Sequence, residues 1–172
     1  GPAAEPGEST DKPTAAQTAT SPASDGDRAK GLTPHLQVFR KRGDDAERLR
    51  DGQRAWPRDV LQLRYVAGDA AFGTIVSIDG NGETTLHFPE RSSDDTALES
   101  GKAIALPHAY ELDDAPQFER FMLITHERPV DVEMILDASR GIASTGATAA
   151  TTALDLPAGF RQFSFRVQKV RR

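Results

Sequence analysis

The stretch Tyr65 to Pro89, YVAGDAAFGTIVSIDGNGETTLHFP, reads as strand segments folded back on each other across a Gly-rich turn. Ile75-Val76-Ser77-Ile78 is rich in β-branched residues, which suit a pleated surface. Asp79-Gly80-Asn81-Gly82 follows, and Gly and Asn tolerate the positive φ that a tight hairpin turn demands. Thr84 to Phe88 then alternates, which predicts Thr84, Leu86 and Phe88 on one face and Thr85 and His87 on the other. Pro89 cannot donate to a ladder and ends the strand.

Similar signals recur on both sides of this hairpin. Leu36 to Arg42 alternates and reads as a first strand, with Glu47 to Arg50 as a short partner beyond the Gly43-Asp44-Asp45 turn. Val60 to Val66 places Leu61, Leu63 and Tyr65 on one face. Ala103 to Leu106 and Tyr110 to Leu112 are short extended segments. Phe118 to Thr125 is the most apolar run and reads as a buried central strand. Phe160 to Gln168 closes the chain with Phe163, Phe165 and Val167 on one face. Between them, Val132, Ile135, Leu136 and Ser139 follow helical spacing, which predicts one helix near 130–141 that stops at Gly141. Residues 143–153, ASTGATAATTA, read as a low-complexity loop. The sum is a mainly β chain: an antiparallel β-sandwich or open barrel of seven to nine short strands with one helix.

Composition divides the chain in two. Residues 1–30 hold no Val, Ile, Leu, Met or aromatic residue. Such a segment buries too little apolar surface to offset its ordering entropy, so it reads as a disordered linker ahead of a β-sandwich domain at 31–172. The chain begins Gly-Pro with no Met, which reads as a protease scar and predicts a longer parent protein. A net charge of -5 argues against a nucleic-acid footprint. Arg40, Lys41, Arg42, Arg48, Arg50, Arg54, Arg58 and Arg64 cluster on the first strands, but Asp44, Asp45, Glu47, Asp51 and Asp59 balance them as a solvated face. With no Cys, thiol and disulfide chemistry are excluded.

Few residues point to chemistry. The four His (His35, His87, His108 and His126) form no HExxH pair, and a zinc site would need ligands gathered from separate strands. His87 and His126 read as surface or internally satisfied side chains. Asp79-x-Asn81-x-Glu83 lacks the downstream Glu of a calcium loop, so a hairpin turn is the simpler reading. Asp113-Asp114 is the best cation candidate, although neighbours in sequence usually point apart. There is no GxSxG elbow, Walker loop or GxGxxG, so neither a catalytic residue nor a cofactor is assigned. The loops around Trp56 and Pro107–Pro116 remain, and Trp56, His108, Tyr110, Asp113 and Asp114 are the candidate ligand-binding residues. Trp56, the only Trp, has a simpler rival role as a ring covering one edge of the core.

The order of the punctuation also resembles a bacterial β-sandwich domain family of uncharacterised function. The carrying segments are Arg58 to Leu63, Tyr65 to Gly73, Ile78 to Gly82, Leu86 to Pro89, Leu98 to Lys102, and Ala105-Leu106-Pro107. Tyr110 to Pro116 and Phe118 to Pro129 look like a variant seen in myxobacteria-like proteins. The family is found attached to caspase-like, kinase-like and anti-sigma-type regulatory modules, the last followed by a membrane helix and a linker. The resemblance covers about residues 34–170 and implies a non-catalytic, periplasmic or otherwise extracytoplasmic regulatory domain. It further implies a protein partner in the cell envelope, and contact with the membrane only through an upstream anchor. A small-ligand or glycan-binding domain, using Trp56, Tyr110 and His108, is the alternative. A hydrolase would require His108 to meet Asp113 or Asp114 in one pocket.

Overall fold

The computed structural model describes residues 33–171, so the proposed linker at 1–30 lies outside the described residues. Ten strands are present among them: β1 (His35–Arg42), β2 (Asp45–Arg48), β3 (Arg54–Ala55), β4 (Val60–Val66), β5 (Phe72–Asp79), β6 (Thr84–Phe88), β7 (Ala103–Ala105), β8 (Tyr110–Glu111), β9 (Phe118–His126) and β10 (Arg161–Lys169). Two of these are two-residue strands, β3 and β8, which carry the count past the predicted seven to nine. One sheet runs β2-β1-β4-β7, with β8 also paired to β4; the other runs β3-β10-β9-β5-β6. All pairs are antiparallel except β10–β3. The fold is a β-sandwich, with an added layer.

That layer is the helix. Strands β5 and β9 are buried almost throughout, without alternation. Continuous apolar runs are what a strand covered on both faces requires. On one face Ile75, Phe121 and Leu123 join Val38, Leu61, Leu63, Tyr65 and Val167 in the core between the sheets. On the other face Val76, Ile78, Met122 and Ile124 pack under Val132, Ile135 and Leu136 of α1 (Val132–Ala143). Asp131 caps α1 by accepting from the Met134 N–H, and Glu133 and Arg140 suit its dipole.

Several local expectations are corrected. Helix α1 passes through Gly141 and ends at Ser144, whose N–H reaches the Arg140 carbonyl. The supposed loop beyond it contains a 3-10 helix, Gly146–Ala150, with Ala149 buried. Arg120, a charged residue inside the apolar β9, explains this: its guanidinium donates to the Ala149 and Thr152 carbonyls and to Ser164 Oγ, pinning the segment over the sheet. Strand β2 begins two residues earlier than Glu47 and leaves Leu49 to enter the core. Arg40 does not lie on a solvated face. It is 3 % exposed, held by Glu47 at 3.0 Å and Asp59 at 3.1 Å, and donates to the Arg54 carbonyl.

The opening hairpin is β5–β6, and its tip is the predicted turn. Asp79 Oδ1 accepts from the N–H groups of Asn81 and Glu83, and Gly82 adopts a φ of 85°. The expected alternation of β6 is broken by a bulge. Val76 pairs with Leu86 but Ile75 pairs with Phe88, so His87 is the extra residue. Leu86 therefore packs on the helix side, whereas Phe88 packs into the core between the sheets. Thr84, Leu86 and Phe88 do not share one face.

Segment 113–117 crosses closely over the tip. A Cβ on Gly80 would overlap the Pro116 carbonyl oxygen. Gly80→Ala therefore forces the crossing segment off the hairpin and is expected to cost about 2 kcal/mol or more, read by urea unfolding against the parent chain. A cost below about 0.5 kcal/mol contradicts this packing.

Candidate functional site

The bulge in β6 does more than re-aim Phe88. It sends the His87 ring between the sheets, where it meets Tyr110 edge-on at 4.7 Å and Phe121 at 5.5 Å. His87 Nε2 lies 2.8 Å from Ser77 Oγ on the neighbouring strand. Ser77 is wholly buried, and its hydroxyl favours the ionised form of Glu119, which lies one strand further on. Glu119, 1 % exposed, accepts from the Tyr110 hydroxyl at 3.2 Å and pairs with Lys169 Nζ at 3.2 Å. Lys169 in turn reaches Asp113 Oδ1 at 2.6 Å. A polar seam thus runs from β6 through β5 and β9 to β10, with Tyr110 and Asp113 joining it.

Burial dominates the electrostatics of this seam. It pushes the His87 imidazole down to about 4, so the ring is neutral at pH 7. It raises the Glu119 carboxyl to about 7, against the opposing pull of Lys169 and of the Ser77 hydroxyl. The Tyr110 phenol is raised first by burial and then by the nearby Glu119 charge. Asp113 is held below its ordinary value: partial burial acts upward, but the hydrogen bond from Lys169 and that from the Ala115 N–H prevail.

Beside the seam lies a cleft of about 500 Å³, open along one side of the sandwich. One wall is the edge strand β6 with Pro89 and Glu90; the other is Leu106 to Tyr110, from the opposite sheet. His87 and Tyr110 belong to both cleft and seam. Asp94 and Asp95 complete the lining, and at the rim His108 Nε2 contacts Glu90 Oε2 at 2.6 Å.

The fold brings together two of the five sequence candidates, His108 and Tyr110. Trp56 does not line this cleft; its half-buried ring lies against the Arg40 guanidinium, 5.5 Å from the ring centroid. Asp113 and Asp114 part, as neighbours in sequence should: Asp113 turns to Lys169, while Asp114 lines a separate hollow with Pro57 and Pro116. His108 and Asp114 thus line different cavities, and His108 contacts Glu90 while Asp113 holds Lys169.

Ligands for a cation do converge, but as Asp79, Asp113 and Glu119. The ammonium of Lys169 already stands between two of them and supplies the compensating charge. Ser77, His87 and Glu119 superficially resemble a nucleophilic triad. In such a triad the imidazole stands between hydroxyl and acid; here His87 meets Ser77 while Glu119 is held by Tyr110 and Lys169, and Ser77 is wholly buried. A molecule in the cleft meets the ring and not the hydroxyl. Two signals could have exposed the seam in advance: Ser77 interrupts a β-branched run, and Glu119 sits inside the most apolar strand.

No family model, curated protein or solved structure matches the chain. No helix among the described residues is long and apolar enough to cross a membrane.

The seam makes opposed demands on pH. The depressed His87 makes the unfolded chain the better proton binder between about pH 4 and 6.5, so stability rises with pH there. The raised Glu119 makes the folded chain the better binder between about 4.5 and 7, so its contribution falls with pH. In the parent the two slopes largely offset each other. Relative to the parent, Glu119→Gln should gain about 3 kcal/mol as pH rises from 4.5 to 7, and His87→Gln should lose about as much from 4 to 6.5. Urea unfolding at half-unit pH steps reads both, and variant profiles parallel to the parent's would contradict the assignment.

Proposed function

We propose that this chain is a non-catalytic binding domain that holds part of a protein partner in the cleft between β6 and Leu106–Tyr110. The observation that carries the reading is the cleft itself. It is lined from both sheets, and His87 and Tyr110 in its wall are fixed from behind by Ser77, Phe121 and Glu119. An apolar concavity with a few fixed polar groups is the general form of a binding site. The buried placement of Ser77 favours binding over nucleophilic chemistry.

The family resemblance supports the wider setting. It suits a regulatory domain of the cell envelope, outside the cytoplasmic membrane, with residues 1–30 as a spacer from an upstream anchor. A glycan is the second reading, favoured by the half-buried Tyr110 ring in the wall and the carboxylates of Asp94 and Asp95 beside it.

Nitrogen-15 NMR of the full chain, titrated separately with short extended peptides and with cell-wall oligosaccharides, tests both readings. Peptides should shift Thr85, His87 and Tyr110 saturably. Ala109→Trp, which fills the mouth from an exposed position, should abolish the response while leaving stability within about 0.5 kcal/mol. Shifts confined to another surface, or unaffected by Ala109→Trp, would sink the cleft as the site, and a response to the oligosaccharides alone would select the glycan.

A further inference from the structure

The lining of the cleft is specific enough to name the chemistry of its occupant. This step rests on the cleft being the binding site. The walls are apolar where Phe88, Pro89, Leu106 and Pro107 face the space. The charged side chains lining it are acidic: Glu90, Asp94 and Asp95. Two basic groups bear on them. Arg91 lies 3.6 Å from Asp94, and His108 contacts Glu90. Asp94 also accepts from the Arg91 N–H and Asp95 from the Ala97 N–H, both turn contacts that fix the carboxylates in place.

The shape adds a second constraint. One wall is β6, the last strand of its five-stranded sheet. An edge strand offers backbone groups to an added strand, and an extended segment there projects alternate side chains to one side. An occupant lying along β6 would place alternate apolar side chains against the cleft wall and carry its remaining side chains toward the rim. Three carboxylates at that rim suit Lys or Arg and repel Asp or Glu.

We infer that the cleft binds an extended peptide segment of a partner protein in which apolar residues alternate with Lys or Arg. The segment docks along β6, its apolar side chains meet Phe88, Leu106 and Tyr110, and its cations face Glu90, Asp94 and Asp95.

Isothermal titration of the full chain with three acetylated and amidated heptapeptides tests this. One alternates Val with Lys, one replaces each Lys with Gln, and one replaces each Lys with Glu. The Lys peptide should bind at least tenfold more tightly than the Gln peptide, the Glu peptide should bind weakest, and 0.5 M salt should erase most of the preference. Glu90→Gln combined with Asp94→Asn removes two charges and keeps the oxygen that accepts the turn hydrogen bond. This variant should reduce the Lys preference to about threefold or less while still binding the Gln peptide. Equal affinity for the Lys and Gln peptides overturns the charge assignment and leaves the cleft reading standing. Binding by none of the three overturns both. Self-association of the chain that the Lys peptide cannot displace assigns the cleft to a second copy and also overturns the inference.

Discussion

A carboxylate buried in a central strand must be satisfied, and much of this molecule is arranged around that need. Glu119 sits in β9 between two covered faces, where an isolated charge would be prohibitively costly. Its partners come from the final strand (Lys169) and the opposite sheet (Tyr110). The pair therefore ties together parts of the chain far apart in sequence. Burial leaves the carboxyl raised to about 7, so the seam is poised to carry either a neutral or an ionised Glu119 near neutral pH. Buried ion pairs seldom add much stability over an apolar replacement. The return here is positional: Tyr110 is fixed against His87, and these two rings form the inner wall of the cleft.

The bulge in β6 is the second constraint. Without the extra residue, His87 would follow simple alternation, and Leu86 and Phe88 would compete for one face. With it, Leu86 joins the helix layer, Phe88 joins the core between the sheets, and His87 turns to Ser77 and Tyr110. A single local irregularity thus completes two packing layers and the cleft wall together. The burial that makes His87 a weak base also keeps it neutral, which suits a wall better than a proton carrier.

Much of the fold was legible because its signals are local. The alternation in Leu36–Arg42 and Val60–Val66, the Asp79–Gly82 turn and the helical spacing of Val132, Ile135 and Leu136 each appear where period and turn chemistry place them. The bulge was not legible, since it depends on the register between two strands and not on either strand alone. The end of α1 was misplaced because Gly141 is tolerated inside a helix whose capping is supplied by Ser144. The segment after α1 looked like a loop because its order comes from Arg120, far away in sequence. His108 and Tyr110 were found at the cleft because irregular loop segments drew attention. Ser77, Glu119 and Lys169 were not singled out, and His87 was read only as a surface or internally satisfied side chain, because which polar strand residues meet depends on the register between strands.

A ligand in the cleft proposed as the binding site, between β6 and Leu106–Tyr110, would lie against a wall that the Glu119 seam holds in place. An isotope-filtered NOE spectrum of the labelled full chain with the unlabelled Val/Lys heptapeptide addresses that placement directly. Contacts are expected from the peptide Val methyls to Phe88, Leu106 and the Tyr110 ring, together with backbone contacts along β6. Contacts confined to α1, or to the surface around Trp56, would contradict it.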